Sequence, residues 1–307
     1  LIRRLAIVVA IGLTVGGGPL AGDIVMLYPD RINDFAATAE AARSALGELP
    51  EGSRLRSFTV PREEQQARRA IAESPEVVLA VGSTAVRVAL DAGAGGEHIP
   101  LVYAMVFRPE ALNLSESAQP RVTGVSMEVP ASIQFARIKQ LLPETRKIGV
   151  LYNPAETQEA VVEAREAAER LDMKLVTITV RSPGEVEKKA RLLAPQVDVI
   201  WAMPDPTVLN AATAKRLILF SLRARKPLIA PSQGYVKRGA LCAMTADPRS
   251  VGEASGRMMR QVLDGDGMPA PEEPAELKSY VNRKSAELLG LDLDDEDYSN
   301  FQGVFPE

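Results

Sequence analysis

From Asp23 onward, short apolar runs alternate with longer stretches whose apolar positions recur at helical spacing. Asp23-Ile-Val-Met-Leu-Tyr28 reads as a buried strand, and a helix is expected from about Phe35 to Leu46. Residues 54–60 alternate as a half-exposed strand does, and Pro61 suits the first turn of a helix reaching about Glu73. Val77–Val81 and Leu101–Met105 are further strands, separated by a helix over Thr84–Asp91. Repeated β-α alternation with uniformly apolar strands implies a parallel sheet covered on both faces.

The pattern then restarts. Pro130 opens a helix to Leu142, Lys147–Tyr152 is a strand, and Ala155–Leu171 is a helix. Residues 174–180, 197–202 and 227–230 are expected strands with helices between them. A helix over Ser250–Leu263 follows the apolar run Gly239–Met244, and a strand over Glu276–Val281 follows that helix. Two α/β lobes result, alike in architecture without visible internal sequence similarity. The charge run Asp292-Leu-Asp-Asp-Glu-Asp297 predicts a solvated, mobile stretch in an acidic tail over 294–307, whose aromatics from Tyr298 onward are candidates to dock at a place the sequence does not give.

The first twenty-odd residues do not fit this alternation. Arg3 and Arg4 precede an apolar run over Leu5–Val15, and small residues follow to Pro19-Leu-Ala-Gly22. A basic start, a short apolar run and a small-residue exit predict a secretory signal peptide over 1–22, cleaved after Ala21 or Gly22. The run is too short to span a bilayer comfortably, which needs roughly 20 residues. The mature protein is expected in the periplasm or outside the cell.

Composition narrows the function. The 307 residues are 46% hydrophobic, enough for two modest cores, and the net charge is −4 without a Lys/Arg cluster. A nucleic-acid partner is not expected. One His and one Cys leave no His- or Cys-rich metal site. His98 lies in a loop entering a strand and reads as a surface residue, while Cys242 sits in an apolar run and reads as buried and inert. No P-loop, no Gly-x-Ser-x-Gly and no dinucleotide fingerprint after a strand is present.

Several short motifs point elsewhere. They are Arg121-Val-Thr-Gly-Val-Ser126, Pro130-Ala-Ser-Ile-Gln134, the run from Leu141 through Lys147-Ile-Gly-Val-Leu-Tyr-Asn-Pro154, Val197-Asp-Val-Ile-Trp201, Asp205-Pro-Thr-Val208 and Val236-Lys-Arg-Gly-Ala-Leu241. In this order and at this spacing they resemble the ABC-transporter substrate-binding family that includes tryptophan- and tyrosine-binding lipoproteins. The likeness is best over the last three quarters of the chain. It implies an α/β fold of two Rossmann-like lobes with parallel sheets joined by a three-strand hinge, as in type I periplasmic binding proteins. The implied division is 23–122 plus 246–270 for the first lobe and 123–245 plus 271–293 for the second, with crossings near Thr123, Thr245 and Pro271. Members of the family do no chemistry and need no cofactor. They close around a small molecule and hand it to a membrane permease, so a monomer binding an amino acid or related carboxylate is expected. Presentation of the ligand to a membrane sensor is the alternative. No Cys follows the N-terminal apolar run, so the family's common lipid anchor is not expected.

In open parallel sheets ligands bind outside the carboxyl ends of the strands. Ser83 and Thr84 follow the strand 77–81, where the resemblance places a loop that holds a ligand carboxylate; a plain helix cap is the other reading. Arg108 follows the strand 101–105, where the family often has an acid. It reads either as a fork for an anionic ligand or as a solvated loop residue. Asp205 and Thr207 match a family Thr-Asp-Asn-Thr, and Asp205 either takes an ammonium group or caps a helix from Thr207. Ser232 and Tyr235 align with a ligand-facing loop, Asp247 either binds an amine or caps the helix after Pro248, and Tyr28 ends the first strand.

Overall fold

The computed structural model describes residues 22–30, 33–114 and 120–306. The expected signal peptide lies outside the described residues, except Gly22. No described helix is long and apolar enough to cross a membrane.

The first sheet is built from β1 (Asp23–Pro29), β2 (Arg54–Val60), β3 (Val77–Val81), β4 (Leu101–Val106) and β5 (Val122–Ser126), in the order β2-β1-β3-β4-β5. All its pairings are parallel. Every residue of β3 and β4 is buried, as interior parallel strands sandwiched between helices must be. Helices α1 (Asn33–Leu46), α2 (Glu64–Ala72) and α3 (Gly82–Asp91) connect these strands.

The second lobe repeats the winding. Its helices are α4 (Ala131–Leu141), α5 (Pro154–Glu169), α6 (Val186–Leu193), α7 (Ala214–Arg223) and α8 (Gln233–Lys237). Its strands are β6 (Lys147–Tyr152), β7 (Lys174–Thr179), β8 (Val199–Trp201), β9 (Leu228–Ala230) and β10 (Cys242–Ala246). The order β7-β6-β8-β9-β10 is the same doubly wound order as in the first sheet. Strand β11 (Leu277–Asn282) adds antiparallel to β10.

Three chain segments join the lobes. The chain leaves the first sheet after Ser126, so Thr123, the expected crossing point, lies inside β5. It returns after β10 through α9 (Pro248–Leu263), which packs on α1. Gly252 and Gly256 make that packing close: a Cβ on either would come within 2.6 Å of Ala41 Cβ or 2.8 Å of Ala45 Cβ. The third segment leads back to β11 and is tied to the first. Glu272 N–H donates to Gly124 O at 2.9 Å, and Ser126 N–H donates to Glu272 O at 3.1 Å.

The expected mobile tail is ordered. After α10 (Arg283–Leu289), a short helix α11 (Asp295–Ser299) is closed by a capping box between Asp294 and Asp297. Tyr298 is buried in the second lobe's core, with the Arg283 guanidinium 4.1 Å from its ring centroid. Strand β12 (Gly303–Phe305) then pairs with β11. The charges that suggested a solvated tail cap and flank this helix, while Tyr298 and Phe301 anchor it on the core.

Candidate functional site

The end of β4 carries a bulge. The register with β5 shifts between Ala104 and Val106, and the extra residue, Met105, adopts a left-handed backbone (φ 55°). A bulge of this kind re-aims the residues that follow. Arg108 is left-handed as well (φ 49°), and with Phe107 it borders a cavity of about 600 Å³ shared by the two lobes.

This cavity is lined from both sides and by two of the crossings. The first lobe contributes Tyr103, Phe107, Arg108 and Ser126. The second contributes Gln134, residues of one face of α5, and Trp201, Met203 and Pro204 after β8. Glu128 and Val129 enter from the first crossing, Glu272 and Glu273 from the third. Gln134 is a brace at the centre: it accepts from Trp201 Nε1 at 2.8 Å and donates to Val129 O at 2.7 Å. Phe135 meets the Trp201 ring edge-on, centroids 5.0 Å apart.

Two groups have displaced acidities. Burial pushes the Glu128 carboxyl up to about 7; Arg108 opposes the shift, while Glu163, Glu110 and Glu273 add to it. Burial, with Glu110 nearby, raises the Tyr103 phenol to about 12. Tyr103 can lie flat on β5 because position 124 is glycine: a Cβ there would sit 2.5 Å from Tyr103 Cγ.

Of the nine residues expected from sequence, Arg108 lines the cavity. Its Nη2 donates to Glu159 Oε2 at 2.6 Å and its Nη1 to Glu156 O at 3.4 Å, so the fork expected for a ligand holds α5 of the opposite lobe. Tyr28 is half-buried and packs against the first lobe's core. Ser83 and Thr84 form the first turn of α3, whose N-terminus has no side-chain cap. Ser232 precedes α8 and does not cap it. Tyr235 lines a different hollow, beside Ala214 and Ile218 of α7.

The two aspartates have structural partners. Asp205 is 1% exposed. One oxygen accepts from Asn153 N and Thr157 Oγ1, the other from Thr207 N and Val208 N. The expected helix from Thr207 is instead a series of turns, pinned by Asp205, Asn210 and Thr213, and α7 starts at Ala214. Thr207 accepts from Asn153 Nδ2 at 2.9 Å. Asp247 caps α9 through Arg249 N and pairs with Lys278 at 3.0 Å. The local reading of both aspartates, as caps of the turn or helix that follows, describes what they touch.

Sequence reasoning missed Tyr103, Glu128 and Gln134 as site residues. Gln134 and Trp201 ended quoted motifs, which was a usable signal. Glu128 had none, because its place depends on where the chain crosses. Cys242 is buried and its thiol is raised to about 12, so it is unreactive, and His98 is exposed. Among the described residues no group of His, Cys, Asp or Glu is arranged to hold a metal.

Comparison with known proteins places this arrangement. A family model described as ABC transporter substrate binding protein matches residues 62–298. A tyrosine-binding protein of Clostridioides difficile (strain R20291) is 22% identical over 211 residues, which cover 67% of this chain and 60% of that protein. An ABC domain from Streptococcus pneumoniae in complex with L-Trp superposes with a TM-score of 0.69 at 23% identity, covering 93% of this chain and 100% of the other. A ligand-free, open substrate-binding protein with adhesive properties from Clostridium difficile gives 0.75 at 21% identity, covering 92% and 99%. At these identities the likeness to solved structures is one of fold, the two-lobed fold of type I periplasmic binding proteins.

Proposed function

Because the chain belongs to the family of ABC transporter substrate-binding proteins, a solute-binding class, we propose that it captures a small molecule between its lobes and delivers it to an ABC permease, without turnover. The observation that carries this reading is the interlobe cavity. It is walled by strand-end loops of both lobes and floored by the crossing segments, so a ligand there touches both bodies at once. A ligand with contacts on both lobes favours their closed arrangement by its differential affinity.

The names of the tyrosine-binding relative and the L-Trp complex support an amino acid or a close relative as the ligand. A volume of about 600 Å³ fits a molecule of that size. Tyr28, Ser83, Thr84 and Ser232 stand at carboxyl ends of strands and are proposed as further contacts as the lobes move. The same reading puts the working protein outside the cytoplasm, as a monomer, with residues 1–22 removed.

The test is a thermal-shift screen of amino acids and their amine and acid derivatives, followed by solution scattering on any hit. Ligand at about 100 times its dissociation constant stabilises the fold by roughly 2.7 kcal/mol. A clear melt shift with a more compact scattering profile is expected. A screen without a single shift, or chemical conversion of the hit, overturns the proposal.

A further inference from the structure

The charge around the interlobe cavity narrows what it can hold. Seven glutamates and two arginines border it. Both arginines are engaged by glutamates of α5: Arg108 with Glu159 at 2.6 Å, and Arg170 with Glu166 at 3.8 Å. Among the described residues the other five, Glu110, Glu128, Glu163, Glu272 and Glu273, have no ion-pair partner. A ligand carrying only negative charge would enter against this field without a free cation to meet it.

Two of the lining groups are suited to meet a positive charge. Glu128 is half-buried at the first crossing, and neither of its oxygens accepts a hydrogen bond from a described residue. Tyr103 is 2% exposed yet borders the cavity, and its hydroxyl donates to no described residue. Both groups line the cavity with hydrogen-bonding capacity that no described residue uses, so a donor on a ligand can fill it. The same cavity has apolar lining in Phe107, Met203 and Trp201, whose indole N–H is already given to Gln134.

We propose that this cavity binds an organic cation, a primary or substituted ammonium on an apolar or aromatic body, with the Glu128 carboxylate as its counter-ion and the Tyr103 oxygen as a second acceptor. The ammonium N–H groups donate to both, the hydrocarbon body covers Trp201 and Met203, and a carboxylate on the ligand is dispensable. The proposal rests on the reading of the cleft as a ligand site and names the chemistry selected there.

The experiment is calorimetric titration of the whole protein with matched pairs: phenethylamine against 3-phenylpropionate, and tryptamine against indole-3-propionate. L-tryptophan is run beside them, and each titration is repeated on Glu128→Gln and on Glu169→Gln. At least one amine should bind while its matched acid does not. Glu128→Gln should weaken the amine by about ten- to a hundredfold, the scale of a lost charge-assisted hydrogen bond. Glu169→Gln, exposed on α5 and outside the cavity lining, should change it by less than about threefold. Binding of an acid as tight as its matched amine, no amine binding, or equal affinity in wild type and a folded Glu128→Gln each overturn the proposal. L-tryptophan binding undisturbed by Glu128→Gln would sink the counter-ion while leaving the two-lobed receptor standing. Silence from all five compounds together with an empty amino-acid screen would remove both.

Discussion

Arg108 and Glu159 join the two lobes: the guanidinium that follows β4 reaches 2.6 Å to a carboxylate on α5. The pair is lopsided, with the Arg108 side chain 13% exposed and the Glu159 side chain 79% exposed. An ion pair open on one side contributes about 0–1 kcal/mol and is screened by salt. It acts between the two lobes, so under the proposed closure a small free energy sets how often they touch.

Glu159→Gln should therefore loosen closure without harming the fold. At about 0.01 M ionic strength, where the Debye length is about 30 Å, the ligand-free wild type should scatter as a more compact particle than the variant. At about 1 M salt the two should coincide. Matching profiles at low salt would show that the pair does not bias the lobes.

Replacing Asp205 should be a stability defect first. Its carboxylate satisfies three backbone N–H groups and the Thr157 hydroxyl inside the second lobe. Asp205→Ala leaves these donors buried and unpaired, at a cost of about 2–4 kcal/mol. Urea denaturation should show a lowered midpoint with an unchanged slope. A variant as stable as wild type, yet poor at binding, would instead make Asp205 a ligand contact.

Gly124→Ala tests how the cavity wall is held. The new methyl would press on Tyr103, and overpacking of this kind costs about 1–3 kcal/mol. The melting temperature should fall, and Tyr103→Phe should leave it nearly unchanged, since the phenol donates to no described residue. Tolerance of alanine at 124 would mean that the ring moves aside freely.

Glu128 should make the ligand-free protein less stable as pH rises from the ordinary 4.5 to about 7. Its folded acidity, raised to about 7 from the ordinary 4.5, means the folded state holds the proton more tightly than the unfolded chain. Between those values folding takes up a proton, so stability falls as pH rises through the window. The charges facing the group are Arg108 after β4, Glu110 beyond it, Glu163 on α5 and Glu273 on the third crossing. Thermal melts from pH 5 to 8 should decline for wild type and stay flatter for Glu128→Gln. Parallel curves for the two proteins would remove Glu128 as the cause.

How much of this was legible in the sequence follows from what buries each element. Residues 77–81 and 147–152 were read as strands with the ends they have because strands covered on both faces need unbroken apolar runs, and residues 54–60, a half-exposed edge strand, because they alternate. Strand β5 was not read as one. It is an edge strand whose middle is Gly124 under Tyr103, so its pattern carries a tertiary constraint instead of a period. The acidic end was misread because composition averages over residues, while a few apolar side chains among the charges, Tyr298 the most buried, dock that segment on the second lobe. The cavity drew on residues from 103 to 273, brought together by crossings that no local pattern encodes. Arg108 was found because it ends a strand. Glu128 became visible when the path between lobes was known.

The glycine-tight seam between α1 and α9 has a consequence in time. The ribosome makes residues 33–46 long before residues 248–263, yet each is the other's cover. Until α9 emerges, the face of α1 carrying Thr38, Ala39, Ala42 and Leu46 lacks its α9 partner, although the strands of the first sheet are already made. The first lobe thus cannot finish by vectorial growth from its own N-terminus. It waits for a segment delivered after most of the second lobe has been synthesised, and any nascent or truncated chain ending before Pro248 carries a half-dressed lobe for chaperones and proteases to find.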